Sequence, residues 1–161
     1  MDTSEYCQKL GKLVANLHSL EFALRAFLLK YFESQEPQTD ISTLVAGDEV
    51  PSNSFTNYDP LGRLIDKFND VIQSYPDCCV DKTVVEIRDM IAHGRVAGKN
   101  PEPPYQLIKF GRPNKRGMIP VEQVVITDSC WLSTNTNLVL GQIHKITKAS
   151  NQLGQNIMSY G

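Results

Sequence analysis

Arg88, Asp89 and His93 stand within one short apolar segment, Val84-Val85-Glu86-Ile87-Arg88-Asp89-Met90-Ile91-Ala92-His93-Gly94-Arg95. If that segment is helical, Asp89 and His93 are four residues apart and share a face, with Glu86 one turn back on the same side. An aspartate one turn before a histidine can fix the imidazole tautomer and stabilise its charged form. Arginine offers a planar, permanently charged fork that suits a phosphate. Together they can support general acid–base attack on a phosphodiester, with neither a metal nor a protein nucleophile. Arg88 lies roughly 140° around an ideal helix from His93, so two copies of the segment would bring them together more easily than one. The plainer alternative is a surface helix whose charged outer face does no chemistry.

The elements that must hold these residues can be read from apolar periodicity. Val80, Val84, Ile87 and Ile91 recur at the spacing of one buried helix face, with Asp81 as a start signal and Gly94 as a stop. Residues 4–33 read as one long helix, because Leu10, Leu13, Leu17, Leu20, Leu24, Phe27, Leu28 and Tyr31 keep a three-to-four spacing. Glu21 falls inside that stripe and needs a partner or an edge position, since burying a lone carboxylate is costly. Arg25 at i+4 is its local candidate and Arg88 its distant one.

Residues 34–59 are turn-rich and acidic, with a short apolar patch over 41–45. A second helix is expected from about Pro60 to Tyr75, capped by Asp59 and buried through Leu61, Leu64, Ile65, Phe68, Val71 and Ile72. The short link to the next helix favours an antiparallel pair. After the proline-rich stretch 100–104, Tyr105–Phe110 and Pro120–Thr127 read as a β-hairpin around a Gly- and Arg-containing loop. A last helix over 130–158, with Asp128 or Ser129 as its cap, repeats Val139, Ile143, Ile146, Leu153 and Ile157.

The chain of 161 residues is expected to form one domain, 1–161, and its net charge of −2 argues against a globally basic nucleic-acid binder. Its positive charge is local. Between Arg88 and Arg116, Arg88, Arg95, Lys99, Lys109, Arg112, Lys115 and Arg116 stand against only Asp89 and Glu102. Such a cluster can track a phosphate backbone, or simply protect a hairpin edge from aggregation. Tyr105 and Phe110 could stack bases or pack the hairpin. No apolar run approaches membrane-spanning length, and Asp2-Thr3-Ser4-Glu5 is unlike a secretory n-region, so a cytoplasmic protein without membrane association is expected. Cys7, Cys78, Cys79 and Cys130 lack metal-finger spacing and read as reduced thiols; neither a metal nor a cofactor is expected.

Arg88-Asp89-Met90-Ile91-Ala92-His93-Gly94 resembles the R-x4-6-H signature of the HEPN family (higher eukaryotes and prokaryotes nucleotide-binding domains). In that family a polar residue usually follows the arginine, a place Asp89 fills, and Ala-His-Gly is a frequent closing form. The resemblance implies a mainly α fold. The expected form is an antiparallel bundle of about four principal helices that dimerises, with the small hairpin inserted before the last helix. It implies a metal-independent endoribonuclease, often a toxin or defence protein, with RNA as substrate and an antitoxin-like protein as a further partner. By that resemblance Arg88 neutralises the scissile phosphate, His93 is general acid or base, and Asp89 orients His93. Arg95, Lys109, Arg112, Lys115 and Arg116 would contact RNA, and Glu21 would lend support. The competing expectation is a non-catalytic helical dimer that binds a nucleotide or a protein.

Overall fold

The computed structural model describes residues 1–32, 43–98 and 102–154. It is mostly helical, with four α-helices and a small antiparallel sheet in the order α1 (Thr3–Phe32), α2 (Leu61–Val71), α3 (Thr83–His93), β1 (Arg95–Ala97), β2 (Gln106–Phe110), β3 (Val121–Ile126) and α4 (Ser129–Gln152). The described residues fall into two compact units, Met1–Ser19 with Asp81–Gln142, and Leu20–Val80 with Ile143–Gly161. Helices α1 and α4 each contribute residues to both. Among the described residues no helix is long and apolar enough to cross a membrane.

The first unit contains α3 and the sheet. Its core gathers Tyr6, Leu13 and Leu17 of α1, Val84, Ile87 and Met90 of α3, Leu107 of β2, and Leu132 and Val139 of α4. Full burial of a side chain the size of Leu, Ile or Met contributes about 1.5–3 kcal/mol, so these three α3 residues pin the helix down. The buried stripe of α3 differs from expectation at its end. Met90 is 1% exposed, whereas Ile91 is only half-buried. Met90 Sδ and Leu107 Cβ of β2 both close on the Gly94 backbone, within 3.4 Å of where a Cβ would stand. The expected cap is displaced by one residue: Lys82 takes the N-cap position without a side-chain bond, and Asp81 sits just before it, its Oδ1 accepting from the Thr83 N–H at 2.9 Å.

The expected hairpin is present but incomplete as a description. β2 and β3 pair antiparallel with Leu107 opposite Val125 and a bulge beyond Lys109, while β1 adds a third strand through Val96 opposite Leu107. Three residues directly after a helix carry too short a pattern to signal a strand, and β1 exists because β2 offers it a free edge. The turn between β2 and β3 is built on Asn114, whose Oδ1 accepts from the Arg116 and Met118 N–H groups, and on Gly117 at φ +74°. Tyr6 Oη lies 3.0 Å from Thr127 Oγ1, which itself donates to the Tyr105 carbonyl, and the Tyr6 and Tyr105 rings meet edge to face. That buried polar link fastens the start of α1 to the end of the sheet. Asp128 caps α4, accepting from the Trp131 N–H at 2.7 Å.

The second unit buries Leu20, Leu24, Phe27 and Leu28 of α1 with Leu61, Leu64, Ile65 and Phe68 of α2, and the Phe27 and Phe68 rings meet at 4.7 Å. Ile146 and Ala149 of α4 belong to the same core. α2 stops at Val71, short of the expected Tyr75, because the chain tightens into a turn and then a 3-10 turn at Pro76–Cys78. Its cap is also different. Pro60 takes the N-cap position without a side-chain bond, and the Asp59 carboxylate instead binds Lys67 Nζ at 2.7 Å and Arg63 Nη1 at 3.4 Å. The Lys67 hydrogen bond and the nearby positive charges hold the Asp59 carboxyl below its ordinary range, against a smaller opposing effect of burial. Part of the expected apolar patch over 41–45 and the end of the expected last helix, 155–158, lie outside the described residues.

Candidate functional site

Helix α3 presents its buried stripe to the core and leaves Arg88, Asp89 and His93 on its outer side. The Arg88 side chain is 40% exposed and that of Asp89 32%. His93 is the last helical residue and is exposed. Its place is set by the residue that follows. The Gly94 N–H donates to the Met90 carbonyl, and a Cβ at position 94 would collide with that same oxygen while standing 3.2 Å from Met90 Sδ and 3.4 Å from Leu107 Cβ. Glycine therefore lets the chain leave the helix tightly packed on β2, in an extended conformation that runs straight into β1.

The three motif residues are only partly gathered. Arg88 Nη1 donates to Asp89 Oδ1 at 2.9 Å. Among the described residues, Asp89 makes no hydrogen bond to His93, so within one chain it restrains the arginine rather than the imidazole. A pair this exposed contributes about 0–1 kcal/mol to stability and is readily exchanged for another partner. His93 itself has no hydrogen-bond partner among the described residues, which leaves both ring nitrogens open to a ligand.

The basic residues lie along the sheet and its turn. The Arg95 guanidinium carbon sits 5.2 Å from the centre of the Phe110 ring, a cation–π contact across β1 and β2. Lys109 is half-buried opposite Gln123, whereas Arg112, Lys115 and Arg116 are exposed around the β2–β3 turn. Tyr105 is engaged with Tyr6, while Phe110 is 38% exposed beneath Arg95. Lys99 lies outside the described residues.

Glu21 belongs to the second unit and is taken by its local candidate. Its Oε1 accepts from Arg25 Nε at 3.0 Å and Nη2 at 2.9 Å. The same guanidinium donates to the carbonyls of Asn57 and Asp59, each at 2.9 Å. Arg25 is thus the organising residue of the 53–59 segment, a role that no local spacing signals because its acceptors lie more than 30 residues away. The four cysteines are free thiols, Cys7 and Cys130 exposed and Cys78 buried. Among the described residues, no three His, Cys, Asp or Glu side chains are placed to share a metal ion. Comparison with family models, curated proteins and solved structures finds no match to this chain.

Proposed function

We propose that this chain is a metal-independent endoribonuclease of the HEPN kind, acting as a homodimer through Arg88 and His93. The observation that carries the reading is the division of labour on α3. Val84, Ile87 and Met90 hold the helix down, while Arg88 and His93 are left solvent-accessible on its outer side. The RNA 2′-hydroxyl attacks the adjacent phosphorus, forming the 2′-O–P bond as the P–O5′ bond breaks. A base takes the hydroxyl proton, an acid protonates the leaving 5′-oxygen, and the products are a 2′,3′-cyclic phosphate and a 5′-hydroxyl. His93 serves as acid or base, Arg88 balances charge on the phosphorane oxygens, and Asp89 releases Arg88 to support His93. Arg95, Lys109, Arg112, Lys115 and Arg116 track the RNA backbone.

Assembly completes the site, because Arg88 and His93 diverge on one helix and two copies related by a two-fold axis would face each other. Supporting it, Val121, Val124 and Ile126 of edge strand β3 are 50–55% exposed, an uncovered apolar edge of a kind that monomers usually avoid. An antiparallel helical bundle in the cytoplasm, held in check by an antitoxin-like protein, belongs to the same reading. The second reading is the non-catalytic dimer, which the Arg88–Asp89 ion pair favours because it occupies both side chains.

Incubating the full chain with structured and single-stranded RNA in chelator, beside His93→Ala and Arg88→Ala, separates the two. Expected losses are about 10²–10⁴-fold for His93→Ala and on the order of 10²-fold or more for Arg88→Ala, with DNA untouched. Equal cleavage by wild type and His93→Ala, or none by any protein, refutes the nuclease.

A further inference from the structure

We propose that the cavity between the first half of α1 and the start of α4 binds a small phosphate monoester. The cavity is a half-open groove of about 330 Å³, near the lower end of the roughly 300–1,000 Å³ usual for ligand sites, and Gln8, Lys12, Ser133 and Asn137 on its wall are exposed. Gln8, Lys9 and Lys12 line it from α1, and Leu132, Ser133 and Asn137 from α4. Every one of these residues lies in the first unit. The α4 side is held in place by Lys9, whose Nζ donates to Ser129 Oγ at 2.8 Å and approaches Ser133 Oγ at 3.4 Å.

Two features of the lining select the ligand. Its charge is unbalanced by Lys12: both lysines line the cavity, Lys9 is met by Glu5, and among the described residues no carboxylate lines it. Glu5 meets Lys9 at 3.4 Å from outside that lining, through a side chain 46% exposed. Lys12 has no ion pair or hydrogen bond among the described residues, nor do the side-chain amides of Gln8 and Asn137. The second feature is the surplus of donors. With Lys9 engaged by Ser129, Ser133 and Glu5, the Lys12 ammonium, the Gln8 and Asn137 amides and the Ser133 hydroxyl remain to donate, and the three terminal oxygens of a phosphate monoester dianion can take them. Thr136 also lines the cavity but spends its hydroxyl on the Leu132 carbonyl at 2.8 Å. Leu132 and the lysine stems supply an apolar wall for the ester's organic group. One turn beyond Lys12 on α1, the Asn16 amide nitrogen is buried with no hydrogen-bond partner among the described residues; it does not itself line the cavity.

Isothermal titration of the full chain with phenyl phosphate near pH 7.5, above the second phosphate pKa of about 6, tests this directly. Saturable one-to-one binding is expected. Phenyl sulfate, equal in shape but a monoanion, should bind at least tenfold more weakly. Lys12→Gln should weaken phenyl phosphate binding about tenfold or more, the effect of one lost charge-assisted hydrogen bond, and Asn137→Leu should weaken it several-fold. Lys12 is exposed and unbonded, so its variant keeps the fold, which a thermal melt verifies. Arg88→Ala and His93→Ala should bind as wild type does, which separates this site from the motif on α3. Absence of saturable binding, equal affinity for phenyl sulfate, wild-type binding by Lys12→Gln, or loss of binding in Arg88→Ala each overturns the proposal.

Discussion

Replacing Arg25 with methionine removes a guanidinium while keeping an apolar stem of similar length, so it isolates the polar role of this residue. Arg25 is 13% exposed and serves three acceptors at about 2.9 Å: Glu21 Oε1, the Asn57 carbonyl and the Asp59 carbonyl. Longer contacts reach Asn57 Oδ1 at 3.2 Å and the Phe55 carbonyl at 3.4 Å. A hydrogen bond to a charged group contributes roughly 1.5–3 kcal/mol, but three on one fork do not add fully. Glu21 is one-third exposed and can rehydrate, so its share falls to under about 1 kcal/mol. The expected loss for Arg25→Met is therefore about 3 kcal/mol, or roughly 6–12 °C in Tm for a chain of this size. Urea unfolding followed by circular dichroism reads the free energy, and limited proteolysis reads the 53–59 segment, which should open first. Glu21→Gln should cost less than about 1 kcal/mol, and Arg25→Lys should fall between, because an ammonium cannot span three acceptors. A loss under about 1 kcal/mol for Arg25→Met, with proteolysis unchanged, refutes the claim that this residue organises the segment.

Gly94→Ala should cost about 1–3 kcal/mol by forcing a Cβ against the Met90 carbonyl, and should lower RNA cleavage beyond that loss because His93 shifts with the helix end; a thermal melt paired with an activity assay checks both. Asp59→Asn should flatten the acid limb of the stability curve. The folded-state pKa of Asp59 lies below its ordinary 3.8, so its contribution is present above that value and is lost as pH falls through the folded pKa. Chemical unfolding at pH 6 and at about pH 3 should show wild type and variant converging at the lower pH. Charge reversal at Lys109, Arg112, Lys115 and Arg116 together should weaken RNA binding equally across sequences and flatten its salt dependence; unchanged binding in a salt titration would assign the turn to solubility alone. Light scattering at micromolar concentration should give a dimer, and a monomer would remove the composite site.

Much of the helical content was legible because periodicity is a local property. Leu13, Leu17, Leu20 and Leu24 are all fully or nearly buried, as a 3.6-residue repeat along α1 requires, and Asp128 caps α4 through an N–H only three residues away. The β2–β3 pair could be read for the same reason: β-branched runs flank Asn114 and Gly117, and the turn closes on its own backbone. The exposure of Arg88 and His93 also follows from helical spacing once Val84 and Ile87 face inward.

Choice among partners was decided by tertiary structure. Asp89 had His93 and Arg88 within reach, and which one it takes is a rotamer outcome that helical spacing leaves open. Asp59 could cap α2 by its position, yet the lysine and arginine of the next turns of that helix outbid the backbone N–H groups. Met90 rather than Ile91 is fully buried at the end of α3, where Leu107 of β2 also closes on Gly94, and β1 formed because that same strand had an unpaired edge. Arg25 found the carbonyls of Asn57 and Asp59 more than 30 residues on, and Lys9 found Ser129 at a separation of 120. Periodicity is carried by consecutive residues and survives without the fold. A hydrogen-bond partner or a cavity wall depends on groups far apart in the chain, and only packing brings those within 3 Å of each other.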